Sequence, residues 1–449
     1  MGGERHPDGV STIPATASDL ATFHHASEQL ATFSAPVLHD NGKPNDRLFV
    51  AAFDGTGNSM VQDAPENHTN VARIARQIES LGDPGIAQGY VEGPGTQGGF
   101  GGGLDLVRGH TYESRMEDMY LQFVKQSAAW LKENPDADIR IAAIGFSRGA
   151  EQAAGFTRLV EERGIRNPEG AQVTRDGDGR VLHVNYVGPP LREPGTVIQA
   201  VGLFDPVGTG EPRDHDRRLP PSVVSGFQIT ADDERRNLFP STRMLDPGVT
   251  DCGRFLNVTV AGAHSDIGGG YTQDGLGIRS GNLMIDYLNG LSDRPFLDKR
   301  EEPDDPARNV IHRSEEHQFF YRTSIYDNAR TRGAREELAP SHLCRIDCLD
   351  ALPRNEALAA GLAWRPVAIG PVPTPRPEAQ TFTPEGGMVE RLLDAAKRGD
   401  GSAVEQISRE HLQGDMGQAW LRAGQQRLEA ATLEPVPVER QQEPAALAR

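Results

Sequence analysis

The chain has 449 residues, a formal net charge of -18, 37% hydrophobic and 24% charged residues. That length allows one large α/β domain with additions, and the composition fits a soluble protein with a core. The acidic balance argues against general nucleic-acid binding and against simple electrostatic adsorption to anionic lipid. Three cysteines, Cys252, Cys344 and Cys348, are too few for a disulfide framework, and Cys344-x-x-x-Cys348, which could lie on adjacent turns of one helix, reads as structural or incidental.

In chain order, residues 1–46 read as a polar arm with one amphipathic helix over Ser18 to Phe33. Leu48 to Phe53 is an apolar strand ending in the turn-rich Asp54-Gly55-Thr56-Gly57-Asn58. A helix over Asn70 to Leu81 and a strand near Tyr90-Val91 lead into a Gly-rich run over 93–103. Tyr112 to Glu133 is helical, with Met116, Met119, Tyr120, Phe123 and Trp130 near one face. Ile139 to Ile144 is a buried strand, followed by Gly145-Phe146-Ser147-Arg148-Gly149-Ala150 and a helix over Ala150 to Glu162.

A polar insertion at about 167–194, with a hairpin around Asp176-Gly177-Asp178-Gly179, precedes a third strong strand over Val197 to Phe204. A second Pro- and charge-rich insertion covers about 206–252. Phe255 to Ala261 is a fourth strand, and Gly281 to Leu291 a helix. The catalytic domain is placed at 47–335, an extension with a Pro-rich linker at 336–387, a helical segment at 388–433 and a disordered tail at 434–449. The expected fold is α/β, with an α/β-hydrolase-like, mostly parallel sheet flanked by helices. No stretch approaches the ~20 apolar residues of a membrane span, and the N-terminus lacks the apolar core of a secretory signal.

Gly-x-Ser-x-Gly between a buried strand and a helix is a nucleophile elbow. Ser147, Asp205 and His264 each follow the C-terminal end of an apolar strand, where open parallel sheets bind ligands. Their order, Ser, Asp, His, is that of α/β-hydrolases. His264 would take the proton of Ser147, and Asp205 would orient the imidazole. Asp266, two residues from His264, is the rival acid, and His312 the reserve base. The oxyanion hole is assigned to the N–H of Arg148 with Gly55 or Thr56.

Six motifs carry a family resemblance. Phe53-Asp54-Gly55-Thr56-Gly57-Asn58, Gly93-Pro94-Gly95-Thr96 and the elbow come first. Phe204-Asp205-Pro206-Val207-Gly208 stands where the family usually reads Trp-Asp-Thr-Val-Gly. Asp233-Glu234-Arg235-Arg236 with Phe239-Pro240, and His264-Ser265-Asp266-Ile267-Gly268-Gly269-Gly270-Tyr271, complete the set. In this order over about 48–330 they resemble the DUF2235 α/β-hydrolases, which include phospholipase effectors of bacterial type VI secretion.

The resemblance implies a cofactor-free Ser/Asp/His esterase acting on phospholipid or other lipid esters at the membrane of a target cell. It implies synthesis in the bacterial cytoplasm and export by a dedicated machine, with an immunity protein and a secretion adaptor as partners. The helical segment and tail at 388–449 suit a secretion signal or adaptor-binding segment. Two other readings stay open. Asp54, Asp205, His264 and Asp266 could form an oxygen-rich cation site at the same sheet edge, making a metal-dependent hydrolase. Alternatively, the Gly-rich run could cradle phosphate in a binding module, although it lacks a Gly-Lys-Ser/Thr ending.

Overall fold

A computed structural model describes residues 7–94, 111–177, 179–316 and 332–373. The chain divides into a compact unit, Met1–Thr374, and a second, Pro375–Arg449. The second unit lies outside the described residues, as do 95–103 of the Gly-rich run and the expected helices at 388–433.

The compact unit is built on seven strands: β1 (Asp46–Phe53), β2 (Ile86–Val91), β3 (Asp138–Phe146), β4 (Gln199–Phe204), β5 (Val223–Ala231), β6 (Gly248–Val249) and β7 (Phe255–Val260). They lie in the order β6-β7-β5-β4-β3-β1-β2. Every pairing is parallel except that of the two-residue edge strand β6 with β7. The chain leaves β1 for β2 on one side and returns to β3 on the other, so the sheet reverses direction between β1 and β3. The ends of these two strands therefore border the crevice where such sheets bind ligands.

Both faces of the sheet are covered, which explains the near-continuous apolar strands. Leu48, Val50 and Ala52 of β1 join one core with α1 (Ala17–Thr32), α2 (Asn70–Leu81) and α6 (Gly275–Gly290), represented by Phe23, Ile74 and Met284. Phe49, Ala51 and Phe53 face the other core, with α3 (Tyr112–Glu133) and α4 (Arg148–Arg163), represented by Phe123 and Phe156. The period-2 alternation of a strand assigns these residues to opposite layers. Local signals set the helix ends. Thr16 and Asp19 form a capping box on α1; Thr69 caps α2, which stops at Gly82 in the left-handed region, φ 66°.

The structure corrects several expectations. The stretch 206–252 contains β5, which pairs with β4 and β7 inside the sheet. Ser225, Gly226 and Gln228 disguise it in the sequence, yet all are buried. Tyr287 donates to Ser225 at 3.0 Å, and Gln228 Oε1 accepts Leu245 N–H at 3.2 Å. Their polar groups are therefore matched, as a buried strand requires.

Helix α6 begins six residues earlier than expected, through Gly275 and Gly277, which propensity disfavours. A Cβ at Gly281 would lie 2.6 Å from Asn70 Oδ1, so the small residue admits a side chain that donates to Gly277 O at 2.8 Å. The arm is not peripheral: Phe23 and Leu30 enter a core, and Thr12–Pro14 pairs with Val310–His312. Within the extension, Trp364–Pro366 pairs with Ser34–Pro36. Cys344 and Cys348 form a disulfide across non-helical chain, Cα–Cα 5.6 Å, while Cys252 is free and exposed. No helix among the described residues is long and apolar enough to cross a membrane.

Candidate active site

Ser147 follows β3 with φ 60° and ψ -126°, a conformation that L residues rarely adopt. The flanking glycines make this turn sterically feasible. A Cβ on Gly145 would overlap the backbone of Gly149, and one on Gly149 would overlap the carbonyls of Phe53 and Asp54. Helix α4 starts at Arg148 and aims its unsatisfied N–H groups at this point. Parallel register pairs Phe204 of β4 with Phe146 of β3, so the next residues, Asp205 and Ser147, emerge side by side. Asp205 is also strained, φ 39°. His264 opens the short helix α5 (His264–Gly268) after β7.

His264 Nδ1 lies 2.5 Å from Asp205 Oδ2, and both residues are buried. Burial favours neutral imidazole and holds His264 below its ordinary 6.5, outweighing the opposing pull of Asp205. Burial alone would raise the Asp205 carboxyl, but the Arg332 guanidinium and the bond to His264 prevail and hold it at about 2. Arg332 grips Asp205 with both Nη atoms, at 2.5 and 2.9 Å, and Ala231 N–H donates to Oδ1 at 3.0 Å. Burial thus favours neutral imidazole on one side of the pair and the guanidinium an ionised carboxylate on the other. Among the described residues His264 pairs through Nδ1 with Asp205, and no Ser147–His264 bond is made in this structure. Such bonds often tighten only around substrate.

The loop after β1 distinguishes the two oxyanion candidates, Gly55 and Thr56. Gly55 N–H is already donated to Asp54 Oδ1 at 2.7 Å. Thr56 is the better candidate: its Oγ1 accepts Arg148 Nε at 2.8 Å, which ties the loop to the elbow. Asp54 organises the loop as well. It accepts from Thr69 Oγ1 at 2.7 Å and Tyr90 OH at 2.5 Å, and burial outweighs these bonds to raise its carboxyl to about 6.

The rival acid and reserve base belong to each other. His312 Nδ1 lies 2.6 Å from Asp266 Oδ1, and its Nε2 lies 3.1 Å from Asp8 Oδ2. Asp266 Oδ2 also accepts the N–H groups of Ala263 and His312. The imagined cation site is dispersed for the same reason. Asp54, Asp205 and Asp266 are each committed to different partners, and no group of three or more metal-ligating side chains converges among the described residues.

Two elements escaped the assignment of roles. Arg332 lies in weakly patterned sequence, with no nearby motif to flag it. The Asp233-Glu234-Arg235-Arg236 motif lines the histidine. Glu234 Oε2 accepts His264 N–H at 3.3 Å and Arg236 at 2.8 Å. Burial would raise Glu234, but the Arg236 guanidinium holds it at about 2.

A mostly parallel sheet with a strained serine and a His–Asp pair at its strand ends has the architecture of the α/β-hydrolase fold. Residues 47–177, from β1 through the elbow and its helix, match the family described as the type VI secretion system phospholipase effector Tle1-like catalytic domain. Over this segment the chain is similar to those effectors. No curated relative matches it.

Among solved structures, an uncharacterized protein from Pseudomonas aeruginosa is 17% identical with TM-score 0.40, over 94% of this chain and 63% of that one. The Tle1 effector bound to the VgrG spike of the type 6 secretion system is 23% identical with TM-score 0.30, over 50% of this chain and 51% of that one. Thermogutta terrifontis esterase 2 is 16% identical with TM-score 0.28, over 57% of this chain and 88% of that one. The chain thus spans less than two thirds of the length of the first two.

Proposed function

We propose that this chain is a serine esterase that hydrolyses acyl esters of glycerophospholipids through Ser147, His264 and Asp205. The observation that carries this reading is the 2.5 Å His264–Asp205 bond at the strand ends beside the elbow serine. Ser147 Oγ attacks the ester carbonyl carbon as its proton passes to His264 Nε2. The carbonyl oxygen takes the electron pair and is stabilised by the N–H groups of Arg148 and Thr56. The tetrahedral intermediate expels the alcohol oxygen, which receives the proton from His264. Water, deprotonated by His264, then releases the fatty acid and restores Ser147. Asp205 stays ionised and stabilises the imidazolium in both halves.

The family match supports an effector role. In this reading the protein is made in the bacterial cytoplasm, carried by a secretion machine and its adaptor or spike, and acts antibacterially on the membrane of a target cell. An immunity protein protects the producer.

The enzymatic test is hydrolysis of p-nitrophenyl esters and mixed phospholipid vesicles by wild type and Ser147→Ala, with and without chelator. Chelator-resistant activity confined to wild type is expected. Equal activity in the two proteins would remove the elbow as the active site. For the effector role, periplasmic expression of wild type should arrest growth and Ser147→Ala should not; growth with both would count against it.

A further inference from the structure

A closed circuit of contacts surrounds His264. Its Nδ1 meets Asp205; Asp205 meets Arg332; Arg332 donates from Nε and Nη2 to Phe239 O at 3.1 and 3.0 Å. The Phe239 ring stands edge-on to the imidazole at 5.1 Å, and Arg236 lies 3.5 Å above that ring. Arg236 binds Glu234, which accepts the His264 N–H. Four elements meet there: the ends of β3, with Phe146 at 4.6 Å, and β4, the segment after β5, and the chain at 332–335. The charged groups they present to His264 are Asp205, Glu234, Arg236 and Arg332, while Asp266 of its own helix is turned to His312.

The unusual member is Arg332. Asp205 Oδ2 receives both His264 Nδ1 and Arg332 Nη2, and Oδ1 receives Arg332 Nη1 and Ala231 N–H. The carboxylate is therefore saturated, with a full positive charge held against it by two hydrogen bonds. A carboxylate 2.5 Å from a histidine pulls it toward imidazolium, which cannot act as a base, and burial opposes that pull.

We propose that Arg332 is a positioning residue that fixes the Asp205 carboxylate and offsets part of its charge, adding to burial in keeping His264 a neutral base. The two bonds to Asp205 set the orientation, and the guanidinium charge sets the field. Arg332 borders a cavity of about 120 Å³ with Arg236 and Phe239, so replacing it does not remove a plug from either core.

This inference rests on the proposed triad, and the test separates the two. An alkyl fluorophosphonate reports the reactivity of Ser147 whatever the natural ester. The Ser147 Oγ–P bond forms, the P–F bond breaks, fluoride leaves with the electron pair, and the hydroxyl proton passes to His264. Labelling rates across pH 4.5–9 are compared for wild type, Arg332→Met and Arg332→Lys, with thermal melts to verify folding. Arg243→Met, in an ion pair with exposed Glu336, is the control.

Arg332→Met should shift the acid limb to higher pH by about one unit and lower the plateau about tenfold or more. Arg332→Lys, which keeps the charge but not the fork, should leave the limb within about 0.3 unit and lower only the plateau. Asp54, which also titrates near this range, is common to all variants, so their difference reports on His264. Absence of Ser147 labelling in wild type would sink the triad itself. Labelling with superimposable limbs in wild type and Arg332→Met would overturn the role of Arg332 alone. If the Met variant does not fold, a Lys variant with wild-type plateau and limb would overturn it.

Discussion

At the residue scale, two aspartates close to His264 in sequence or space have different partners, and mutation should separate them. Asp205→Asn removes the anion that orients and stabilises the imidazole, so esterase kcat should fall on the order of 10³–10⁴-fold. Asp266→Asn breaks the pair with His312 and should leave kcat within about tenfold while lowering the melting temperature. Equal losses of kcat would show that the pairing seen here is not the working one. Because burial holds His264 below its ordinary 6.5, the neutral base persists into mildly acid solution. The pH profile of kcat/KM should therefore rise along a limb that lies below pH 6.5 and be flat above it. A limb above 6.5 would contradict that environment.

At the element scale, the elbow works because a strand and a helix approach more closely than side chains permit. Gly149→Ala drives a methyl into the carbonyls of Phe53 and Asp54, on the strand and loop that bear the oxyanion candidate. It should cost about 1–3 kcal/mol in chemical denaturation and impair ester hydrolysis together with stability. Wild-type stability in that variant would mean that the contact between β1 and α4 is looser than described. The Cys344–Cys348 disulfide closes a loop too short to restrict the unfolded chain greatly, so Cys344→Ser should cost at most about 2 kcal/mol. Melting in the presence and absence of reductant measures that contribution.

For the compact unit as a whole, a buried ion pair ties the N-terminal segment to the chain after α6. Asp8 meets His312 at 3.1 Å, across 304 residues of sequence. Burial opposes both charges, but the bonds from Asp266 and Asp8 prevail and lift His312 to about 9, while His312 and the Thr272 and Gln273 amides lower Asp8. The raised histidine stabilises the fold fully below its unfolded 6.5, and this contribution is lost as pH rises through about 9. The lowered carboxyl stabilises above its unfolded 3.8 and loses effect as pH falls below it. Docking of the N-terminal segment should therefore be tightest between these values. Hydrogen exchange at residues 11–15 should accelerate from pH 6.5 to 9.5 after correction for intrinsic rates, and His312→Gln should remove the change. An equal acceleration in that variant would place the titrating group elsewhere.

Much of this was legible before any coordinates. Short continuous apolar runs mark the strands β1, β3, β4 and β7, and apolar residues near one face mark the helix α3, because each pattern lies within a single segment. The elbow is equally local: its glycines, serine and flanking elements occupy one short stretch around Ser147. Strand β5 was hidden because Ser225 and Gln228 look like surface residues until Tyr287 and Leu245 satisfy them from elsewhere in the chain. The pairing of Asp205 with His264 and of Asp266 with His312, the bond of Gly55 N–H to Asp54 and the place of Arg332 beside Asp205 all depend on contacts that spacing does not encode. The sequence by itself determined which groups reach the strand ends, since backbone periodicity and turn sterics are local. Only the tertiary structure decided which carboxylate meets which imidazole, since burial and charge pairing depend on segments brought together by the fold.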